Sequence, residues 1–211
     1  TWSNANTPDI ISLRDNKGNM IRTIEDNSGL KDRMKKHHFN KVSFFNFETS
    51  QNVRLNGYMI KPGDFSPNKK YPVFMFVYGG PESQQVKDEF NAYRGPWFQM
   101  LSQLGYIVVC VDNRGTNGRG EEFRKSTYME LGKLEVTDQT EAALYLGSLP
   151  YIDRHRIGMF GWSYGGFMSL NCLFQSPKTF ALAIAVAPVT NWRYYDTIYT
   201  ERFMRTPQEN P

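Results

Sequence analysis

Cysteine and histidine are both scarce in this sequence. Its 211 residues include two cysteines, Cys110 and Cys172, and three histidines, His37, His38 and His155. Cys110 stands in an apolar, strand-like run and Cys172 in a helix-like one, so both read as small core residues rather than parts of a disulfide framework. There is no Cys-x-x-Cys pair to join the few histidines in a zinc site, and neither a metal nor a cofactor is expected. No apolar run reaches the ~20 residues that a membrane-spanning helix needs. No segment combines a basic start with an apolar middle in the manner of a targeting signal. Charge of one sign is not concentrated either. The 25 basic and 21 acidic residues leave a net charge of +4, and the basic ones come in twos such as Lys35-Lys36 and Lys69-Lys70. That distribution describes a solvated surface, not a nucleic-acid footprint.

What the sequence does have is apolar and aromatic material, 40% and 15% of its residues, enough for one sizeable core. Residues 9–24, D-I-I-S-L-R-D-N-K-G-N-M-I-R-T-I, predict two strands around an Asn-Lys-Gly-Asn turn. A polar stretch from Glu25 to Asn40 then separates this hairpin from the rest. K-V-S-F-F-N-F and V-R-L-N-G-Y-M-I predict an antiparallel pair. Downstream, apolar strands near 71–77, 106–111, 156–160 and 181–187 alternate with helical patterns near 88–104, 133–148 and 164–175. Strands apolar on both faces and separated by helices predict a mostly parallel, doubly wound α/β sheet.

The segment G-W-S-Y-G-G, Gly161 to Gly166, lies where the strand R-I-G-M-F ends and a helical pattern begins. A Gly-x-Ser-x-Gly match alone is weak, but this setting is the one a nucleophile elbow requires. The serine must sit on a sharp, strained turn, and side chains at Gly161 or Gly165 would collide with neighbouring backbone. Ser163 is therefore the candidate nucleophile. The N–H of Tyr164 is the first candidate donor to an oxyanion, and the turn Tyr78-Gly79-Gly80-Pro81 is expected to supply the second through the Tyr78 hydroxyl or its backbone. Trp192, Tyr195 and Tyr199 recur at i, i+3 and i+7, which predicts one aromatic helix face. Asp112 and Arg114, in D-N-R-G-T, are expected to support a loop. Glu135 and Asp138 read as acidic residues at a helix start, placed to suit its dipole.

V-Y-G-G-P, V-D-N-R-G-T, G-W-S-Y-G-G and A-P-V-T-N-W-R-Y-Y-D-T-I-Y-T-E-R-F-M follow one another in the chain. These four blocks resemble the catalytic domain of the dipeptidyl peptidase IV group within the prolyl oligopeptidase family of serine peptidases. The resemblance runs from about Phe44 to the C-terminus. It implies an α/β-hydrolase fold over 44–211, a linker over 31–43 and the last strands of a β-propeller over 1–30. It implies Ser163 as nucleophile, Tyr78 and the Tyr164 N–H as the oxyanion hole, and Tyr164, Val189, Trp192, Tyr195 and Tyr199 as a pocket for proline. The implied partners are peptides with penultimate Pro or Ala and a second copy in a homodimer, and the implied location is extracytoplasmic.

One element of the chemistry is missing from these residues. In α/β-hydrolases the acid and the histidine follow the serine, yet no histidine follows Ser163. His155 lies eight residues upstream, which at ~3.3 Å per strand residue places it at the opposite edge of the sheet. His37 and His38 precede the core. The sequence is accordingly expected to be a piece of a longer peptidase, with A-L-A-I-A-V-A left as an apolar edge strand. The leading expectation is a dipeptidyl aminopeptidase that works through an acyl-enzyme. The alternatives are a prolyl tripeptidyl peptidase, an esterase, and an inactive fragment or pseudo-enzyme acting as a binding module.

Overall fold

The computed structural model describes residues 1–211. The predicted hairpin is present as β2 (Thr7–Arg14) and β3 (Met20–Glu25), and a short strand β1 (Trp2–Asn4) adds to β2, giving an antiparallel sheet of order β1-β2-β3. Asp15 forms the turn by accepting the backbone N–H groups of Lys17 and Asn19 at 2.9 and 2.8 Å, as a short acidic side chain does at a reversal.

The polar stretch that follows is not extended. It contains α1 (Ser28–Lys36), a helix with no buried residue and with Arg33, Lys35 and Lys36 in its last turn, where cations oppose the helix dipole. Its apolar stripe is only Leu30 and Met34, one turn apart and half-buried, too short to stand out in the sequence. The strand β4 (Val42–Glu48) then begins within the segment expected to be a linker. Polar bonds tie this region to the larger unit. Asn6 exchanges two hydrogen bonds with the backbone of Val42, at 3.0 and 2.8 Å, and Asn40 exchanges two with the Gln99 side chain, at 2.6 and 2.8 Å.

The larger sheet has the order β4-β5-β7-β6-β8-β9, with β5 (Arg54–Ile60), β6 (Tyr71–Phe76), β7 (Ile107–Asp112), β8 (Ile152–Trp162) and β9 (Leu182–Val186). The pairs β4/β5 and β5/β7 are antiparallel, and the other three are parallel. The helix α2 (Gly95–Gln103) starts later than the spacing predicts. Asn91 accepts the Arg94 N–H at 2.9 Å and Pro96 stands in the first turn, and proline favours that position because its missing donor is not needed there. Next come α3 (Glu121–Lys125), α4 (Leu134–Ser148) and α5 (Tyr164–Gln175). A larger core of 22 buried residues holds Val73, Met75, Ile157 and Met159 of the sheet against Val136 and Leu146 of α4 and Met168 of α5. A smaller core of six, including Phe76 and Val108, takes Phe98 of α2. Helices thus cover both faces of the sheet, and this is the doubly wound α/β architecture.

Candidate active site

Everything expected to act chemically collects at the C-terminal edge of the parallel strands. The chain leaves β8 at Trp162, turns through Ser163 at φ 58° and ψ −117°, and enters α5 at Tyr164. A non-glycine residue at such a φ is strained and persists only when its surroundings hold it. Here they do: the Ser163 N–H donates to Val186 O at 2.9 Å, and the Ser163 carbonyl accepts from Phe167 N at 3.0 Å. The flanking glycines are required by space. A Cβ at Gly161 would strike the backbone of Gly165, and one at Gly165 would strike the carbonyl of Val77. The result is a half-buried Ser163 at the head of α5, beside N–H groups that have no partner within the helix.

Tyr78 follows β6 directly, with its ring centroid 6.1 Å from that of Tyr164. Burial pushes its hydroxyl above the ordinary phenol range, so it stays protonated and able to donate at neutral pH. The turn it opens is fastened to the loop after β7. Asn113 Nδ2 donates to Gly79 O at 2.9 Å, Glu82 N donates to Gly115 O at 3.1 Å, and Asn117 N donates to Ser83 O at 2.8 Å. Asp112 accepts the N–H of Gln85 and of Val86, and Gln139 Nε2 donates to Asn113 Oδ1 at 3.0 Å. These residues hold the Tyr78 turn, and only Asp112 and Arg114 of the loop stood out in the sequence. Nothing marks Asn113 or Gln139 in one dimension, because their partners are 34 and 26 residues away.

Trp192, Tyr195 and Tyr199 come together, but not on one helix. Trp192 lies in a 3₁₀ turn (Trp192–Tyr194), Tyr195 is extended, and Tyr199 is in α6 (Thr197–Met204). Asp196 breaks the helical run because its side chain accepts the Tyr199 N–H at 2.8 Å as the cap of α6, the use for which Asp is preferred at such positions. The cluster therefore forms by packing across a chain reversal. Trp192 and Tyr199 stack with centroids 5.9 Å apart at 12°, and Tyr195 meets both edge-on at 5.8 and 5.5 Å. Trp192 also reaches Tyr164 at 5.6 Å, and the half-buried Val189 precedes the turn. Trp192 Nε1 and the Tyr199 hydroxyl are buried without a protein partner.

None of the histidines is bonded to Ser163. His155 is an exposed residue of β8 bonded to Asp153 and Arg154, and His37 and His38 end α1, where their carbonyls accept from Gln103. The two helix-start acids are not solvent-facing: Glu135 and Asp138 are both fully buried. Asp138 receives Arg114 through its guanidinium, at 2.6 and 3.0 Å, and through its backbone N–H at 2.8 Å. Burial pushes the Asp138 carboxyl above its ordinary range despite that partner.

A sequence profile described as the prolyl oligopeptidase family matches residues 92–211. The chain belongs to this family. Within the prolyl oligopeptidase family, it is 44% identical over 205 residues to the "Probable dipeptidyl-aminopeptidase B" of Botryotinia fuckeliana, a match covering 96% of this chain and 22% of that protein. It is 45% identical over 167 residues to dipeptidyl peptidase 8 of Mus musculus, covering 79% of this chain and 19% of that protein. The crystal structure of Porphyromonas gingivalis dipeptidyl peptidase 4 superposes with a TM-score of 0.94 at 49% identity, over 99% of this chain and 29% of that one. The chain thus spans about a fifth of the length of the curated relatives it matches. Tyr78 and the turn it opens precede the matched residues, whereas the loop after β7 that holds this turn, Ser163, Tyr164 and the aromatic cluster lie within them.

Proposed function

We propose that the protein containing this chain is a serine exopeptidase that releases dipeptides from peptide N-termini by cutting after proline, and less readily after alanine. The observation that carries this reading is Ser163, held at a positive φ on a strand-to-helix turn whose head residue, Tyr164, also packs against Trp192. In this reading Ser163 Oγ attacks the carbonyl carbon after proline, and the Tyr78 hydroxyl and the Tyr164 N–H receive the negative charge that develops on the carbonyl oxygen. The amine leaves with a proton, an acyl-enzyme remains, and water releases the dipeptide. The base that takes the Oγ proton is a histidine in this chemistry, and we place it in a further part of the whole protein. Tyr164, Val189, Trp192, Tyr195 and Tyr199 form the proline pocket. A proline ring has no N–H and is flat and apolar, so aromatic faces hold it by burial and shape. Relatives named as dipeptidyl peptidases support the release of dipeptides.

The same reading assigns residues 1–30 to the end of a β-propeller domain, 44–211 to the catalytic domain, and a homodimer to the assembly, which sedimentation of the full-length protein tests. The function itself is tested by offering that protein a glycyl-prolyl anilide and a short nitrophenyl ester. Rapid anilide hydrolysis that disappears in Ser163→Ala is expected. Hydrolysis of the ester alone, or anilide hydrolysis that survives Ser163→Ala, overturns the reading.

A further inference from the structure

Glu135 has no part in the chemistry above, yet it is fully buried and lies at the back of the site. The Tyr164 hydroxyl donates to its Oε1 at 2.6 Å, and the Gly132 N–H donates to its Oε2 at 3.0 Å. Both carboxylate oxygens are thus committed, one to the loop before α4 and one to the residue that follows the nucleophile. Gly132 has φ 87°, and a Cβ there would lie 2.6 Å from the ring of Phe167. Phe167 in turn meets Tyr164 and Trp192 edge-on, each with centroids 5.3 Å apart. The loop, the carboxylate and the three rings form one packed unit.

We propose that Glu135 is a positioning residue that locks Tyr164, and with it both the pocket floor and the oxyanion N–H, in register with Ser163. This rests on the proposed peptidase reading. Tyr164 contributes a ring to the pocket and an N–H beside the nucleophile, so one residue sets the distance between the proline ring and the reacting carbonyl. Its backbone is fixed by the turn, but an aromatic ring held only by packing can tilt about its Cα–Cβ bond. The hydrogen bond at the far end of the ring removes that freedom, and a bond to a buried carboxylate is among the stronger ones available. Loosening the ring leaves the proline bound but the scissile carbonyl out of line, which lowers kcat more than it raises KM.

The test uses the full-length protein with a glycyl-prolyl anilide, with kcat taken per serine titrated by a fluorophosphonate. Glu135→Gln keeps the volume and can still accept from Tyr164, but its amide NH₂ faces the Gly132 N–H. Tyr164→Phe keeps the ring and deletes the donor. At pH 8, where Glu135 is ionised, each variant is expected to lower kcat roughly tenfold to hundredfold, with KM within about threefold, as expected for losing a hydrogen bond to a charged group. The double variant is expected to be no worse than the poorer single one, because Glu135→Gln replaces the charged acceptor and Tyr164→Phe deletes the donor of the one contact between these two residues. If Glu135→Gln fails to fold, Tyr164→Phe alone decides, since an unchanged kcat in it removes the lock. Unchanged kcat per titrated serine in either variant, or multiplying effects in the double variant, overturns the proposal. A wild-type protein that does not hydrolyse the anilide instead overturns the peptidase reading.

Discussion

At the scale of single residues, the site depends on side chains whose environment sets their chemical state. Burial keeps Tyr78 a phenol rather than a phenolate, so Tyr78→Phe removes a donor without altering charge. On the proposed peptidase reading, steady-state kinetics of this variant in the full-length protein are expected to show kcat lower by about a hundredfold with little change in KM, the usual consequence of losing one oxyanion donor. Trp192 touches Tyr164, Phe167, Tyr195 and Tyr199. Trp192→Ala is expected to lower kcat/KM about tenfold for a proline substrate, given the energy of aromatic contacts, and less for an alanine one. Equal losses for both substrates would remove Trp192 from the proline-reading wall. Glu135 shows where reading residues in sequence misleads. An acidic residue in the first turn of a helix usually faces solvent, and only the position of Tyr164, 29 residues away, reveals that this one does not.

At the scale of elements, strands were legible and several helices were not. The strands β6 and β7 are nearly continuous apolar runs, and burial on both faces imposes that pattern whatever surrounds it, whereas β9 is as apolar but leaves Leu182 and Ile184 exposed. By contrast α1 only half-buries Leu30 and Met34, α3 has five residues, and α6 begins where Asp196 caps it. The aromatic spacing from Trp192 to Tyr199 suggested one helix, whereas the cap splits it and tertiary packing reassembles the cluster. The loop after β7 is anchored to α4 by Arg114 and Asp138, whose side chains are 11% and 0% exposed. Arg114→Ala would leave that carboxylate buried and unpaired. Urea denaturation is expected to show a loss of about 3–5 kcal/mol, and a loss under about 1 kcal/mol, as for an exposed pair, would show that the pair does not hold the loop.

At the scale of the whole molecule, buried carboxyls shape how stability depends on pH. Burial, opposed by the Tyr164 hydrogen bond, pushes Glu135 from 4.5 to about 7, and Asp138, Tyr164, Cys172 and Tyr199 are the other ionisable groups coupled to it. Between those two values the folded protein holds more protons than the unfolded chain. Stability from this group is therefore full below pH 4.5 and lost as pH rises through about 7, a change on the order of 3 kcal/mol. Asp112 and Asp138 are raised as well and act in the same sense. Urea midpoints measured from pH 5 to 8 are expected to fall with pH, and to fall less in Glu135→Gln, which cannot titrate. An equal slope in both proteins would show that another group is responsible.

The sequence by itself determined the strands of the larger sheet, the helices α4 and α5, the elbow and the aromatic content of the cluster beside it. These are written in apolar periodicity and in glycines that only a tight turn requires. The tertiary structure alone decided how Asn113 and Gln139 hold the Tyr78 turn, how a broken helix still gathers Trp192, Tyr195 and Tyr199, and that Glu135 faces Tyr164 rather than water. Each of these depends on partners far apart in the chain, and no local pattern records a contact that exists only after the sheet has brought its loops to one edge.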